Sequence, residues 1–244
     1  MTIASPLRRI QRVRHELLRR DVHISRIEAP SPGFLSLTFA SESLHSFVSL
    51  SFDDHVKLII PDRNGATAMR DFTPTHINTA RGELTLEFAL HAHGAACEWA
   101  RQARVGDAAV IGGPKGSMIV PTDYDWHLLA GDASALPAIR RRLLELPTGS
   151  TALVFAQIAD PLDRQLPTSR SAAQVHWLTD ARAWVDALRN TPLPAGEGFV
   201  WCAGEASVMV QAREVLINGR QLPREASRIS AYWKAGAADF HETL

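Results

Sequence analysis

The sequence predicts a small antiparallel β-barrel followed by a parallel-sheet α/β unit. Three observations predict it. Residues 21–120 carry short, partly alternating apolar runs separated by turn residues. After Pro121, strands and helices alternate. The chain has 244 residues, 45% hydrophobic and 21% charged. That is an ordinary globular composition, long enough for one large domain or two average ones.

The elements follow in order. Ile10, Val13, Leu17 and Leu18 recur at helical spacing among Arg8, Arg9, Arg12, Arg14, Arg19 and Arg20, which predicts a basic amphipathic helix over 1–20. Its charges read as a solvated face or as an attraction for an anionic ligand or partner. Six strands are expected at 22–28, 34–39, 55–60, 69–76, 83–91 and 108–112, with one helix at 95–104 between the last two. Beyond residue 123 come a strand at 127–130 and a helix carrying Leu136, Ile139, Leu143 and Leu144. Strands at 152–158 and 175–178, a helix at 183–188, a strand at 199–203, a helix at 207–217 and a strand at 229–233 complete the pattern. Such alternation implies a parallel sheet covered on both faces, with its ligand crevice at the carboxyl ends of the strands.

Charge and cysteine content exclude several classes. Twenty-six basic side chains balance 26 acidic ones, so no nucleic-acid partner is expected. Cys97 and Cys202 are too few for a disulfide framework and fit a reducing, cytoplasmic setting. No apolar leader and no run of about 18 apolar residues occurs, so no membrane insertion is expected.

Five segments carry chemistry. Arg70-Asp71-Phe72-Thr73-Pro74-Thr75 ends a barrel strand. Arg pairs bidentately with phosphate, an aromatic two residues on shares its face of the strand, and a Thr hydroxyl can hydrogen-bond a ring nitrogen. His91-Ala92-His93-Gly94-Ala95-Ala96-Cys97 opens the helix with small residues, where free N–H groups make an anion site. Gly106-Asp107 and Gly113-Pro114-Lys115-Gly116-Ser117 follow it. Gly131-Asp132-Ala133-Ser134-Ala135 makes a strand-to-helix turn, Trp201-Cys202-Ala203-Gly204-Glu205 ends a later strand, and Tyr232-Trp233-Lys234-Ala235-Gly236 lies near the carboxyl end. His91 and His93 lack a third ligand at a metal-binding spacing, so no metal site is expected. Asp53 and Asp54 read as loop carboxylates, and Trp177, Trp184 and Trp201 as packing residues. Lys115, Arg228 and Lys234 read as solvated charges or as attractors of an anionic chelate.

Taken in order, these segments resemble the siderophore-interacting protein family, FAD-binding ferric-siderophore reductases of the ferredoxin-reductase superfamily. The resemblance runs from about Arg20 to the carboxyl end. It implies a six-stranded antiparallel FAD-binding barrel at 21–123 and a parallel-sheet NAD(P)-binding-like domain at 124–244, after the basic helix at 1–20. It implies FAD contacts from Arg70, Asp71, Phe72, Thr73, His91, Gly94, Ala95, Ala96, Cys97, Asp132, Ala133, Ser134 and Ala135. Thr73 would tune the flavin, with no side chain acting as acid or base. Glu205, Arg228, Trp233 and Lys234 would line the substrate or NAD(P)H side.

This chain departs from the family pattern at several of these positions. Phe72 stands for Tyr, Thr75 for a second Arg, Ala95 for Pro, Cys97 for Ser, Ala133 for Glu and Lys234 for Arg. The implied activity carries electrons from NADPH or NADH through FAD to a ferric siderophore, releasing Fe(II). No basic loop that would read a 2′-phosphate is evident, and Arg140–Arg142 and Arg164 are the candidate contributors. A ferredoxin is an alternative donor. Alternatives to the activity are a flavin- or ferredoxin-type oxidoreductase with another one-electron acceptor, and a non-enzymatic siderophore-binding module.

Overall fold

A computed structural model describes residues 10–62, 65–90 and 94–237. Its first part comprises β1 (Gln11–Arg14), β2 (Arg19–Ser31), β3 (Phe34–Ala40), β4 (Val56–Pro61), β5 (Thr67–Phe72), β6 (Pro74–Asn78), β7 (Glu83–Ala89), α1 (Ala95–Gln102), β8 (Ala108–Gly112) and β9 (Gly116–Ile119). Seven of these strands form one antiparallel sheet in the order β5-β4-β8-β2-β3-β7-β6. β5 and β6 stand at opposite edges, yet only Thr73 separates them in sequence. Consecutive Cα atoms lie about 3.8 Å apart, so the two edges meet at Thr73 and the sheet curls into a barrel.

Alternation fills the barrel: Val56, Leu58 and Ile60 of β4 and Leu84, Leu86 and Phe88 of β7 point into one core. The strand expected at 69–76 is therefore two strands, and the sheet has seven strands rather than six. Pro74 supplies the break, since it has no N–H to continue the ladder of β5.

The second part comprises β10 (Trp126–Asp132), α2 (Leu136–Glu145), β11 (Thr151–Gln157), β12 (Ala172–Leu178), α3 (Ala181–Asn190), β13 (Gly198–Glu205), α4 (Ala206–Arg213) and β14 (Ser227–Trp233). A π-helical turn, Glu214–Gly219, extends α4. The strand order is β12-β11-β10-β13-β14, and every neighbouring pair is parallel. Successive residues of β10 face opposite layers. Leu129 packs with Leu136, Ile139 and Leu143 of α2. Leu128 packs with Trp184 and Leu188 of α3 and Met209 of α4. Burying each such side chain is worth about 1.5–3 kcal/mol. Phe34 and Phe52 of the barrel join the α2 side, so one core runs through both parts.

Three consecutive arginines of α2 fasten the two parts. Arg140 pairs with Glu87 and lies 4.9 Å above the Phe34 ring. Arg141 donates to the Ser49 hydroxyl at 2.8 Å and to the Pro74 carbonyl at 3.2 Å. Arg142 is buried, donates to the Pro121 carbonyl at 2.7 Å and lies 5.0 Å from the Phe52 ring centre. Arg164 donates to the carbonyls of Ile158 and Ala159. These four cations are engaged within the fold.

The basic helix expected over 1–20 is not what forms where the chain is described. Residues 11–14 are strand β1, paired with β9, and β2 begins at Arg19. Residues 1–9 lie outside the described residues. The helical spacing of Ile10, Val13 and Leu17 yields here to the backbone partners that β9 offers.

Candidate functional site

The barrel corner and the crevice of the parallel sheet lie against each other. The ladder sets Arg70 opposite Leu58 and Phe72 opposite Val56, so both project from the same face of β5. Phe72 is half-buried, its ring 4.4 Å from Phe88, and Phe88 in turn packs on Trp99 of α1 at 6.4 Å. Asp71 projects from the other face and pairs with Lys57 at 2.7 Å. Its place among the cofactor contacts is corrected on that ground. Thr75 donates to the Thr85 carbonyl at 3.2 Å, bracing β6 on β7.

Helix α1 packs against β4, β5 and β7. Its N-cap is Gly94, at φ +154, with no side-chain cap. A Cβ on Gly94 would meet nothing within 4 Å. The first-turn N–H groups at Ala95, Ala96 and Cys97 have no side-chain cap, as at helix starts that receive a phosphate. Cys97 donates its thiol to the Ala89 carbonyl at 3.3 Å, and burial pushes its pKa up. It is a packing thiol rather than a thiolate. Cys202 is buried, and its thiol is raised well out of the reactive range. His91 and His93 fall outside the described residues.

Across the crevice, Asp132 at the end of β10 gathers the neighbouring strand ends. Its carboxylate accepts from the Ser134 N–H at 2.9 Å and from the Ser134 hydroxyl at 2.5 Å. It also accepts from the Glu205 N–H at 3.0 Å and from the Trp233 indole at 2.8 Å. Burial raises the pKa of Asp132, and these hydrogen bonds oppose the rise. The Trp233 ring is left 41% exposed. Ala133 is half-buried beside it, Ala135 is fully buried, and Lys234 is exposed.

Glu205 was expected to line the substrate side. Both of its oxygens are instead engaged within the fold: one accepts from the Ser207 and Val208 N–H groups at 2.7 and 3.2 Å, the other from the Ala235 N–H at 3.2 Å. Burial pushes its pKa up, but the hydrogen bonds prevail and hold it below the usual range. Glu205 caps α4 and positions the turn after Trp233.

The link between the halves is one the motifs did not reveal. The Tyr232 hydroxyl donates to Asp53 at 3.1 Å. The Thr73 side chain lies close enough to lower the Tyr232 pKa slightly. Burial, first, and the Asp53 charge push the Tyr232 pKa well up, so it keeps its proton.

Asp53 also pairs with Arg228. Its neighbour Asp54 accepts from the Ser117 hydroxyl at 2.6 Å, from Ser49 at 2.8 Å and from the Leu50 N–H at 2.9 Å. Both carboxylates lie in the loop before β4, as expected, and both are buried. No local pattern signals this, because their partners lie up to 179 positions away. Arg228, expected as a substrate cation, is thus partly neutralised by Asp53. It still lines a cleft of about 330 Å³ with Arg12, Arg14, His55, Lys115 and Ser117. A second cleft, about 370 Å³, opens at the amino ends of β10, β13 and β14 beside Trp126, Gly198 and Ser227, and holds none of these residues. Among the described residues, no three His, Cys, Asp or Glu side chains gather to hold a metal ion.

The residues present fit FAD. An uncapped helix start, an Arg and an aromatic ring on one strand face, and a hydroxyl at the barrel corner match its phosphates, ring and ring nitrogens.

The family model described as the siderophore-interacting FAD-binding domain matches residues 23–69 and 62–118, and that described as siderophore-interacting protein matches residues 124–236. The NADPH-dependent ferric-chelate reductase of Escherichia coli is 32% identical to this chain, covering 92% of it and 96% of the relative. The chain belongs to the siderophore-interacting protein family. Within that family, the ferric vibriobactin reductase ViuB of Vibrio cholerae is 25% identical over 87% of this chain and 89% of its own length. The crystal structure of a siderophore utilization protein from T. fusca superposes with a TM-score of 0.88 at 26% identity, covering 95% of this chain and 99% of that one. The fold is ferredoxin-reductase-like.

Proposed function

We infer that this siderophore-interacting protein is an FAD-dependent reductase that uses NADPH to reduce ferric siderophores and release Fe(II). The observation that carries the reading is buried Asp53, which holds both the Tyr232 hydroxyl and Arg228. It ties edge strand β14 of the parallel sheet to the barrel beside a cationic cleft. The E. coli and V. cholerae relatives, named as ferric-chelate and ferric vibriobactin reductases, support the same reading.

Residues 21–123 form the FAD-binding part, and residues 124–244 receive the nicotinamide. Arg70 and the first turn of α1, at Gly94, Ala95, Ala96 and Cys97, take the phosphates. Phe72 covers the ring from the barrel side, and the 132–135 turn closes the other. Thr73 accepts a hydrogen bond from a ring N–H. FAD, when bound, supplies the exchange between a two-electron donor and a one-electron acceptor. Asp132 fixes Trp233 and the ends of β10, β13 and β14, so the crevice is set before NADPH enters. Lys115 and Arg228 attract the negative charge of the chelate to the cleft. Among the described residues, no helix is long and apolar enough to cross a membrane. The two free cysteines support a cytoplasmic location.

The test is an anaerobic assay with a colorimetric Fe(II) trap. NADPH yields two electrons and each Fe(III) takes one, so two Fe(II) are expected per NADPH oxidised. Oxidation of NADPH that does not depend on the chelate sinks the reading. Fe(II) release with reduced ferredoxin but not with NADPH would replace the donor.

A further inference from the structure

One wall of the cationic cleft comes from the amino-terminal strand. β1 pairs antiparallel with β9, setting Arg12 opposite Met118 and Arg14 opposite Gly116. Two residues apart on a strand, Arg12 and Arg14 project from one face, and both line the cleft. Both are exposed, as is Lys115, and among the described residues none of the three has an ion-pair or hydrogen-bond partner. The two cleft carboxylates do not neutralise them. Asp53 is engaged by Arg228 and Tyr232, and Asp54 by Ser117, Ser49 and the Leu50 N–H.

A two-stranded ribbon is marginal by itself, so the position of β1 needs an anchor. The His15 N–H donates to the Lys115 carbonyl at 3.0 Å. The His15 ring nitrogen Nε2 lies 2.8 Å from the Ser117 hydroxyl. Ser117 gives its one proton to Asp54, so His15 is the donor in that pair. Gly116 lets the strands approach: a Cβ there would sit 2.5 Å from the Val13 carbonyl oxygen. A buried polar node thus fastens two unneutralised arginines over the cleft, against their mutual repulsion.

We propose that β1 is a selectivity arm, on which Arg12 and Arg14 bind the negative charge of the incoming chelate and favour anionic ferric chelates over neutral ones. The proposal rests on the cleft being where the chelate docks. It assigns the preference to the arm rather than to the overall charge, since the chain is balanced.

The test uses the FAD-loaded chain and two redox-inert gallium(III) probes, the tris(catecholate) trianion and an uncharged tris(hydroxamate). Gallium(III) has the charge of Fe(III) and is not reduced, so equilibrium binding is read without turnover. The double variant Arg12→Ala/Arg14→Ala is expected to bind the trianion roughly tenfold more weakly at low salt, with the gap closing near ~0.5 M salt. Its affinity for the neutral probe is expected to change less than about twofold. Gly116→Ala, which displaces the arm without removing charge, is expected to shift in the same direction. The pair Arg104→Ala/Arg224→Ala removes equal charge elsewhere and is expected to bind like the parent. Equal losses for both probes, no loss for either, or an equal loss in the Arg104/Arg224 pair would overturn the arm. A parent chain that binds neither probe would overturn the docking cleft together with it.

Discussion

Tyr232 gives its proton to Asp53, and Thr73 stands at the corner between β5 and β6. Thr73→Val removes the hydroxyl offered to a ring nitrogen, so the potential of the bound flavin should shift by roughly 15–30 mV, about the worth of one hydrogen bond. Spectroelectrochemical titration reads this directly, and an unchanged potential would detach Thr73 from the flavin. Glu205 gives a pH prediction. Its folded pKa lies below the usual range, so its stabilisation is present above the unfolded value, about 4.3, and is lost as pH falls through the folded value. Glu205→Gln should therefore be less stable than the parent by about 1 kcal/mol at neutral pH. The difference should shrink in urea titrations carried out below about pH 4. At this scale the sequence was informative where a residue type is tied to a local motif, as at Arg70, Phe72 and Thr73. It was silent on Asp53 and Asp54, whose roles depend on Arg228, Tyr232 and Ser117 folding back onto them.

Among the elements, α1 makes the sharpest prediction. Gly94 and Gly65 both have positive φ and open space where a Cβ would go. Alanine at either position should cost about 1–2 kcal/mol in backbone strain. Only Gly94→Ala should also weaken FAD binding, by roughly tenfold or more, because only there does the space face an uncapped helix start. Fluorescence titration of FAD into the apoprotein compares the two, and equal affinities would move the phosphates elsewhere. The alternating helices and strands after Pro121 were legible because fully buried parallel strands read as apolar runs. The corner at Thr73 was not, because alternation continues across Pro74 while the hydrogen-bond ladder does not. Strand β1 was misread because its apolar spacing suits a helix, and only the free edge of β9 decides otherwise.

For the whole molecule, the shared core and the α2 arginines make the barrel and the parallel sheet one unit. Arg142 is 2% exposed and donates to the carbonyls of Val120 and Pro121. Arg142→Ala strands those acceptors and should cost about 2–4 kcal/mol. Thermal unfolding should then shift down by roughly 5–10 °C, with Arg142→Lys recovering part of the loss. The order of the two halves was readable from the sequence, but the contact between them was not, since the partners of Arg140–Arg142 lie 21 to 92 positions away. The central claim is that this contact places a flavin between a nicotinamide donor and a ferric chelate. It is tested most directly by the visible spectrum of the FAD-loaded protein under anaerobic conditions. The flavin bands should bleach on adding NADPH and return on adding a ferric siderophore. Bands that bleach with NADPH and stay bleached when the ferric chelate is added would contradict it.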